Sequence, residues 1–176
     1  IEVCWRRSGG GIVLVEPEAS CWIDVLVTPD SHLWDDDVNR AFLWVGEVWE
    51  QTLSASGVRG LSVHPGPVGH AEAGRFLCFA GIGPGEVLQR SSHDDRPWKL
   101  VGLSQRRQRN AARFQGLFVT ATDLDLTASL LVPGAWPDEL DADRLRIGLA
   151  DPALRRPGAV DLAAVADRFL HLLPPP

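Results

Sequence analysis

The feature that most constrains the fold is a series of six short apolar segments, separated by Gly, Pro, Asp and Ser. Apolar segments of this length between turn-forming residues are typical of β-strands. Several are apolar on both faces, which indicates a sheet covered by helices rather than one exposed to water. The predicted strands are residues 12–15, 21–28, 76–80, 86–89, 100–105 and 114–120.

Amphipathic helices interrupt and follow these strands. Residues 35–54 repeat apolar side chains every three and four positions, which predicts a helix. Asp35 and the two aspartates after it fall in its first turn, where one can cap and the dipole favours anions, and Gly57 is a plausible stop. Further helices are predicted over residues 124–131, 138–147 and 162–173.

The order of these elements defines a fold class. Strands come first, then a helix, more strands and more helices, which predicts an α+β fold with a mixed β-sheet flanked by helices rather than βαβ alternation. A chain of 176 residues fits one such core. We expect a core over residues 1–132 and, over residues 133–176, a helical C-terminal extension that packs on the core or forms a small lobe.

Composition and charge exclude several classes of protein. The net charge of −6 argues against non-specific nucleic-acid binding, and no apolar run is long enough for a transmembrane helix. The chain begins without a signal-peptide layout, and its three cysteines have neither disulfide-scaffold nor metal-site spacing. We therefore expect a cytoplasmic protein without a metal site. The absence of Met predicts that the natural N-terminus is missing.

Residues 6–11, with the sequence RRSGGG, form the first motif. Three consecutive glycines bring backbone N–H groups close to an anion, and two arginines stand beside them. The motif therefore indicates a cradle for a phosphate or an acyl-adenylate, with a flexible hairpin as the alternative. A second glycine-rich stretch, residues 81–85, fails as a dinucleotide loop because a strand follows it and Pro84 interrupts it.

Lys99 is the single lysine among 17 basic residues of the chain. It begins an apolar strand, where a compact ammonium can hold an acyl carbonyl or a phosphate in a way that Arg cannot. The alternatives are chance survival and a charged edge-strand residue. Four arginines just beyond it indicate contacts with phosphates or an acidic partner, or a solvated hairpin; they are Arg106, Arg107, Arg109 and Arg113.

Cys78 lies in the apolar sequence FLCFA. A cysteine there is either a small buried hydrophobic residue or a nucleophile, and a nucleophile requires a lowered pKa and some exposure.

Three motifs together resemble the lipoate-protein ligase A and octanoyltransferase superfamily, over residues 3–131. They are RRSGGG, then KLVGLSQR from Lys99 to Arg106, then FQG around Gln115. The resemblance implies a fold related to biotin protein ligases and class II synthetases. It also implies that Lys99 binds the acyl carbonyl and the phosphate or thioester end, and that the glycines line the same pocket.

The resemblance assigns a role to each candidate residue. Lys99 and Cys78 would be catalytic, and Cys78 matches the cysteine nucleophile of one octanoyltransferase branch. The chain departs from the family where His-Asp usually follows the glycines and where a His usually precedes Gly116. The residues expected to bind substrate or nucleotide are Arg6, Arg7, Ser8, Gly9, Gly10, Gly11, Gly102, Ser104 and Gln115.

The resemblance leaves several functions open. A ligase would use ATP with Mg²⁺ and lipoate or octanoate to form an acyl-adenylate, then modify a lysine of a lipoyl domain from a 2-oxoacid dehydrogenase or a glycine-cleavage H protein. A transferase would take octanoate from acyl carrier protein onto Cys78. A non-catalytic homologue would bind an acyl group or a lipoyl domain, and biotin transfer is a further alternative. In either enzyme, we expect Lys99→Arg to abolish transfer and leave the fold intact.

Overall fold

A five-stranded sheet forms the centre of the protein in a computed structural model that describes residues 1–67, 69, 74, 76–91, 94–130 and 145–175. The strand order is β1-β5-β4-β3-β2. The strands are β1 (Ser20–Val27), β2 (Leu61–Val63), β3 (Val87–Ser91), β4 (Asp94–Arg107) and β5 (Ala112–Val119). The helices are α1 (Leu43–Ala55), α2 (Leu124–Ser129) and α3 (Leu162–Leu172). None of the described helices is long and apolar enough to cross a membrane.

The predicted α+β class is confirmed, but the expectation of a mixed sheet is wrong. All four strand pairings are antiparallel. Among the described residues, parallel pairing occurs only as isolated bridges, from Ile12 to Leu77 and from Lys99 to Ile147. The strands predicted over residues 21–28, 86–89, 100–105 and 114–120 correspond to β1, β3, β4 and β5.

Two predicted strands are wrong, and one short strand escapes the sequence pattern. Residues 12–15 contribute only the Ile12 bridge, and residues 76–80 continue from the Leu77 bridge into a 3₁₀ turn, Cys78–Ala80. Leu77 and Phe79 are apolar because they are buried against the sheet, not because they belong to it. The three residues of β2 are too few to show an alternating pattern.

The first helix begins later than predicted. A 3₁₀ turn, Arg40–Phe42, precedes α1, and the Asp37 carboxylate accepts from the Asn39 and Arg40 N–H groups ahead of it. The aspartates therefore close a turn before the helix instead of capping α1. Gly57 ends the helix as predicted, with φ +91°.

The other helix predictions have different outcomes. The α2 helix is confirmed, with an Asp123 cap, although residue 131 lies outside the described residues. The α3 helix is confirmed as well. Of the helix predicted over residues 138–147, residues 138–144 lie outside the described part, and residues 145–147 are not helical.

One face of the sheet packs against α1 and α3. Trp49 of α1 is fully buried between the sheet and Phe169 of α3, with ring centroids 4.6 Å apart for the Trp49–Phe169 pair. Gly116 of β5 makes room for it, since a Cβ there would lie 2.3 Å from Trp49 Nε1. The helix near the C-terminus therefore contributes to the main core. The predicted boundary between residues 132 and 133 stays a prediction, because residues 131–144 lie outside the described part of the chain.

Two glycines bring the backbone of α1 onto the loop before β3. A Cβ on Gly46 would lie 2.0 Å from the carbonyl oxygen of Gly85. Gly85 has φ +78°, and a Cβ there would lie 2.3 Å from the carbonyl oxygen of Phe42. Because backbone atoms meet on both sides, this contact fixes the loop and Glu86, which follows it.

We predict that Gly46→Ala destabilises the protein. Helix propensity alone would favour Ala by about 1 kcal/mol. Here the added methyl group meets a carbonyl that cannot move aside like a flexible side chain, and overpacking of this kind costs about 1–3 kcal/mol or more. Urea denaturation should show a net loss of stability, whereas Gly9→Ala, where a Cβ meets no described residue within 4 Å, should have little effect. Equal stability of the two variants would contradict the backbone contact.

Candidate functional site

The face of the sheet opposite α1 and α3 carries most of the candidate site residues. Residues that pair across β4, β5 and β1 point to the same face, because side chains alternate along a strand. On this face the strands present three successive rows of paired residues. The rows are Gly102, Leu117 and Trp22; then Ser104, Gln115 and Asp24; then Arg106, Arg113 and Leu26.

The glycine loop, residues 6–11, is anchored on the middle row. The Arg6 guanidinium donates from Nη1 to Ser104 Oγ and Ser8 Oγ, both at 3.3 Å, and from Nη2 to the Gly11 carbonyl at 2.7 Å. Ser104 Oγ also lies 3.2 Å from Ser8 Oγ. Residues 98 positions apart in sequence therefore meet at one place.

Two glycines of this loop allow a close approach to the turn around Cys78. Gly10 has φ +101°, and a Cβ there would lie 2.7 Å from Arg6 Nη2 and 3.2 Å from Cys78 Sγ. A Cβ on Gly11 would lie 2.3 Å from the carbonyl oxygen of Phe76. Gly9 is open to solvent. The loop is thus held between β4 and the residues before the 3₁₀ turn.

Lys99 is enclosed beside the same turn. Its side chain is buried, and Nζ lies 2.6 Å from Glu86 Oε1, 2.9 Å from the Cys78 carbonyl and 2.8 Å from the Gly81 carbonyl. The ammonium also lies 5.0 Å from the centre of the Phe79 ring. These contacts occupy all three of its N–H donors.

A β-bulge places Lys99 on this face. Val101 pairs with Val87, but Lys99 pairs with Leu88, so the register between β3 and β4 shifts by one residue. Leu100 and Val101 are then both buried in the helix-side core. Without the bulge, strict alternation would put Lys99 on the same side as Val101.

Sequence reasoning missed Glu86, the partner of Lys99. Its Oε2 accepts from the Gly83 N–H at 2.7 Å and its Oε1 from the Leu103 N–H at 3.2 Å. Burial raises the pKa of the Glu86 carboxyl, and the Lys99 ammonium offsets part of that rise. The available signal is an acidic residue directly before an apolar segment; the strand predicted over residues 86–89 includes Glu86, whereas β3 begins at Val87.

The remaining candidate residues lie around this centre. A Cβ on Gly102 would lie 3.0 Å from the Phe79 ring, so the glycine lets that ring approach β4 closely. Gln115 donates to Asp24 at 3.2 Å, and its buried Oε1 has no hydrogen-bond partner among the described residues. Cys78 is half-buried beside Gly10.

Arg7 points to a different part of the face. It is exposed and lines a depression of about 380 Å³, here called the arginine depression. The lining residues are Arg7, Leu26, Arg106, Gln108, Ala111 and Arg113. None of them belongs to the Lys99 surroundings, so the structure separates Arg7 from Arg6.

A small apolar space lies beyond Phe79. It measures about 20 Å³, which is room for one water molecule, and is bordered by residues 12–14, Phe79, Val119 and Ile147 among others. Among the described residues, no group of three or more His, Cys, Asp or Glu side chains could hold a metal ion.

Comparisons with known proteins bear on the fold. No family model matches the sequence, and no curated protein matches it significantly. The structure is similar to a chain from an archaeal lipoylation system, described as a bi-partite lipoate protein ligase and its E2 lipoyl domain from Thermoplasma acidophilum. The TM-score is 0.55 at 18% identity, over 95% of this chain and 54% of that chain. The two chains share a fold, and this chain spans about half the length of its neighbour.

We predict that Lys99→Met strongly destabilises the protein near neutral pH. The substitution leaves the Glu86 carboxylate buried without its ammonium partner, which should lower the free energy of unfolding by about 3–5 kcal/mol. Losing the ammonium raises the pKa of Glu86 further above its already raised value. The loss of stability should therefore shrink as the pH falls through that pKa, where the folded variant holds Glu86 protonated.

Urea denaturation of the unmodified protein and of Lys99→Met, at about pH 5 and about pH 8, measures how the loss of stability depends on pH. The control is Arg40→Gln, which breaks the exposed ion pair between Arg40 and Asp35 and should change stability far less. Similar losses in the two variants, or a loss independent of pH, would contradict the role assigned to the buried pair.

Proposed function

We propose that this chain forms the catalytic core of a lipoate-protein ligase-like enzyme, which attaches a lipoyl or octanoyl group to a lysine of a lipoyl domain through an acyl-adenylate. The observation that carries the proposal is the anchoring of the glycine loop on Ser104. It brings together two of the three motifs of the family resemblance, RRSGGG and KLVGLSQR, next to Lys99. The fold shared with a chain of a lipoylation system supports the same conclusion.

Lys99 would act on the acyl carbonyl without leaving Glu86. Two of its three acceptors are backbone carbonyls of the 3₁₀ turn and the residue after it, Cys78 and Gly81. A substrate oxygen can replace one of these carbonyls while the Glu86 carboxylate keeps the ammonium in place. A fixed ammonium aimed at a developing negative charge stabilises the transition state, since it needs little reorganisation.

The enclosed position of Lys99 changes what Lys99→Arg should do. A planar guanidinium is larger than an ammonium and cannot direct three donors at Glu86 and the two carbonyls from the same position. We therefore expect this substitution to disturb the turn as well as the chemistry, which makes it a poor test of function by itself.

The glycine loop would bind the phosphate end of the substrate. In this reaction the acyl carboxylate would attack the α-phosphate of ATP and release pyrophosphate, and AMP would leave when the lysine of the lipoyl domain attacks the acyl carbonyl. Gly10 is exposed and Arg6 is half-buried at the edge of the same surface, an arrangement that suits an anion held by backbone N–H groups and a guanidinium. Among the described residues, no three His, Cys, Asp or Glu side chains lie together as a metal site.

The acyl chain would lie against the apolar residues beyond Phe79. The present space of about 20 Å³ is too small for an eight-carbon chain, so residues 12–14 must move outward on binding. Ile12 is about half exposed, and its bridge to Leu77 consists of two backbone hydrogen bonds that this movement would have to break.

A second candidate function is octanoyl transfer from acyl carrier protein through Cys78. The observation that favours it is the position of the half-buried Cys78 thiol against Gly10, within the same cluster as Lys99. A thioester formed there would place its carbonyl near the loop and the ammonium. In this reaction Cys78 receives the acyl group and the carrier thiol leaves.

We predict that the full-length protein transfers octanoate to a lipoyl domain only when ATP is present. Intact-mass measurement of the domain should show the addition of one octanoyl group. A domain whose acceptor lysine is replaced by Arg should stay unmodified.

Ser104→Ala should lower the rate by about tenfold or more, because the glycine loop loses its anchor to a charged donor. Ser62→Ala, on the far edge strand β2, is the matched control and should be neutral. Modification from octanoyl-acyl carrier protein without ATP would contradict the ligase proposal. Tight binding of the lipoyl domain with neither donor active would favour a non-catalytic homologue.

We predict that Cys78→Ala retains ATP-dependent transfer. The substitution removes a small side chain, with a packing loss of about 1 kcal/mol. The transferase alternative requires the opposite result, since the Cys78 thiolate would carry the acyl group. Mass spectrometry after exposure to octanoyl-acyl carrier protein decides between them, because a thioester adduct on Cys78 of the unmodified protein would support the transferase.

A further inference from the structure

The arginine depression contains uncompensated positive charge. Arg106 of β4 and Arg113 of β5 lie directly opposite each other in the strand register, and Arg7 of the glycine loop joins them. Like charges directly opposite across an antiparallel pair are destabilising. A chain of net charge −6 nevertheless collects three guanidinium groups here.

Neighbouring groups neutralise little of this charge. Arg113 Nη1 lies 3.6 Å from Asp24 Oδ2, and both side chains are more than a third exposed. Within the described part of the chain, the Arg7 and Arg106 side chains have no hydrogen-bond or ion-pair partner. At least two positive charges are therefore available to a ligand.

We infer that the arginine depression binds a condensed phosphate, a diphosphate or the phosphate chain of a nucleoside triphosphate. Guanidinium groups match phosphate oxygens with two parallel hydrogen bonds, and the amide of Gln108 adds a further donor. The depression of about 380 Å³ falls within the usual size of small-molecule sites. A condensed phosphate carries enough negative charge to relieve the repulsion between Arg106 and Arg113.

A small anion fits this place better than an acidic protein. The site is concave, and its positive charge is local to a chain that is acidic as a whole. Because the depression is concave, a small anion can enter it and meet the guanidinium groups together.

The proposed site is next to the glycine loop but separate from the surroundings of Lys99. Arg106 lies two residues beyond Ser104 on the same face of β4, which is about 7 Å along the strand. Arg7 belongs to the loop itself. An anion bound there would link the loop to the β4–β5 hairpin, and this binding does not depend on acyl transfer.

The test is calorimetric titration of the full-length protein with pyrophosphate at low ionic strength, with no acyl substrate present. Orthophosphate, AMP and ATP are titrated in parallel. We expect pyrophosphate to bind, to bind more weakly as salt is added, and to raise the melting temperature. The comparison is made for the binding that depends on Arg106: tighter binding of ATP than of pyrophosphate assigns the depression to a nucleotide, and equal binding assigns it to free condensed phosphate.

Arg106→Gln should weaken pyrophosphate binding by about tenfold or more, since it removes charged hydrogen bonds. The same variant should not melt at a lower temperature without ligand, because it also removes a repulsion. Arg106→Lys keeps the charge but loses the paired donors, so its binding should be intermediate. Arg109→Gln makes the same charge change on an exposed residue of the hairpin outside the depression and should bind like the unmodified protein.

Absence of pyrophosphate binding, or equal weakening by Arg106→Gln and Arg109→Gln, would overturn the inference. A lipoyl domain or acyl carrier protein that binds through Arg106 while pyrophosphate does not would also overturn it, and would identify the depression as a protein-docking surface.

Discussion

The buried ion pair between Lys99 and Glu86 is the interaction on which one face of the sheet depends. Burying two charges costs desolvation free energy, which their attraction offsets only when further hydrogen bonds satisfy the remaining donors and acceptors. Lys99 donates to the backbone carbonyls of residues 78 and 81, and Glu86 accepts from the backbone N–H groups of Gly83 and Leu103. The pair therefore joins β4, the loop before β3 and the 3₁₀ turn, and any ligand of Lys99 must reach it through these contacts.

The two faces of the sheet are organised by different physical forces. On the helix side, large side chains such as Trp49, Phe118 and Phe169 exclude water, and the geometry follows from hydrophobic contact. On the other side, close packing occurs at glycines: Gly11 approaches the backbone of residue 76, and Gly102 approaches the Phe79 ring. The result is a firm support on one side and a polar, partly exposed surface on the other.

Only part of the candidate site could be predicted from the sequence. Lys99 stands out as the single lysine of the chain, and the RRSGGG motif identifies the glycine loop. The order of the two motifs suggests that they share one site. Nothing local reveals that Glu86 is the partner of Lys99, because the contact depends on how β3 and β4 pair. Cys78 shows the same limit, since an apolar sequence is equally compatible with a strand and with a buried turn that leaves a thiol beside Gly10.

The sequence by itself determined the α+β class, four of the five strands, the α3 helix and most of the α1 helix, because these follow from side-chain periodicity within short segments. Only the tertiary structure decided the antiparallel order, the bulge that brings Lys99 to the open face, and the pairing of Arg106 with Arg113. These features depend on strand register. Register is set by contacts between residues distant in sequence, and a shift of one residue exchanges the two faces of a strand.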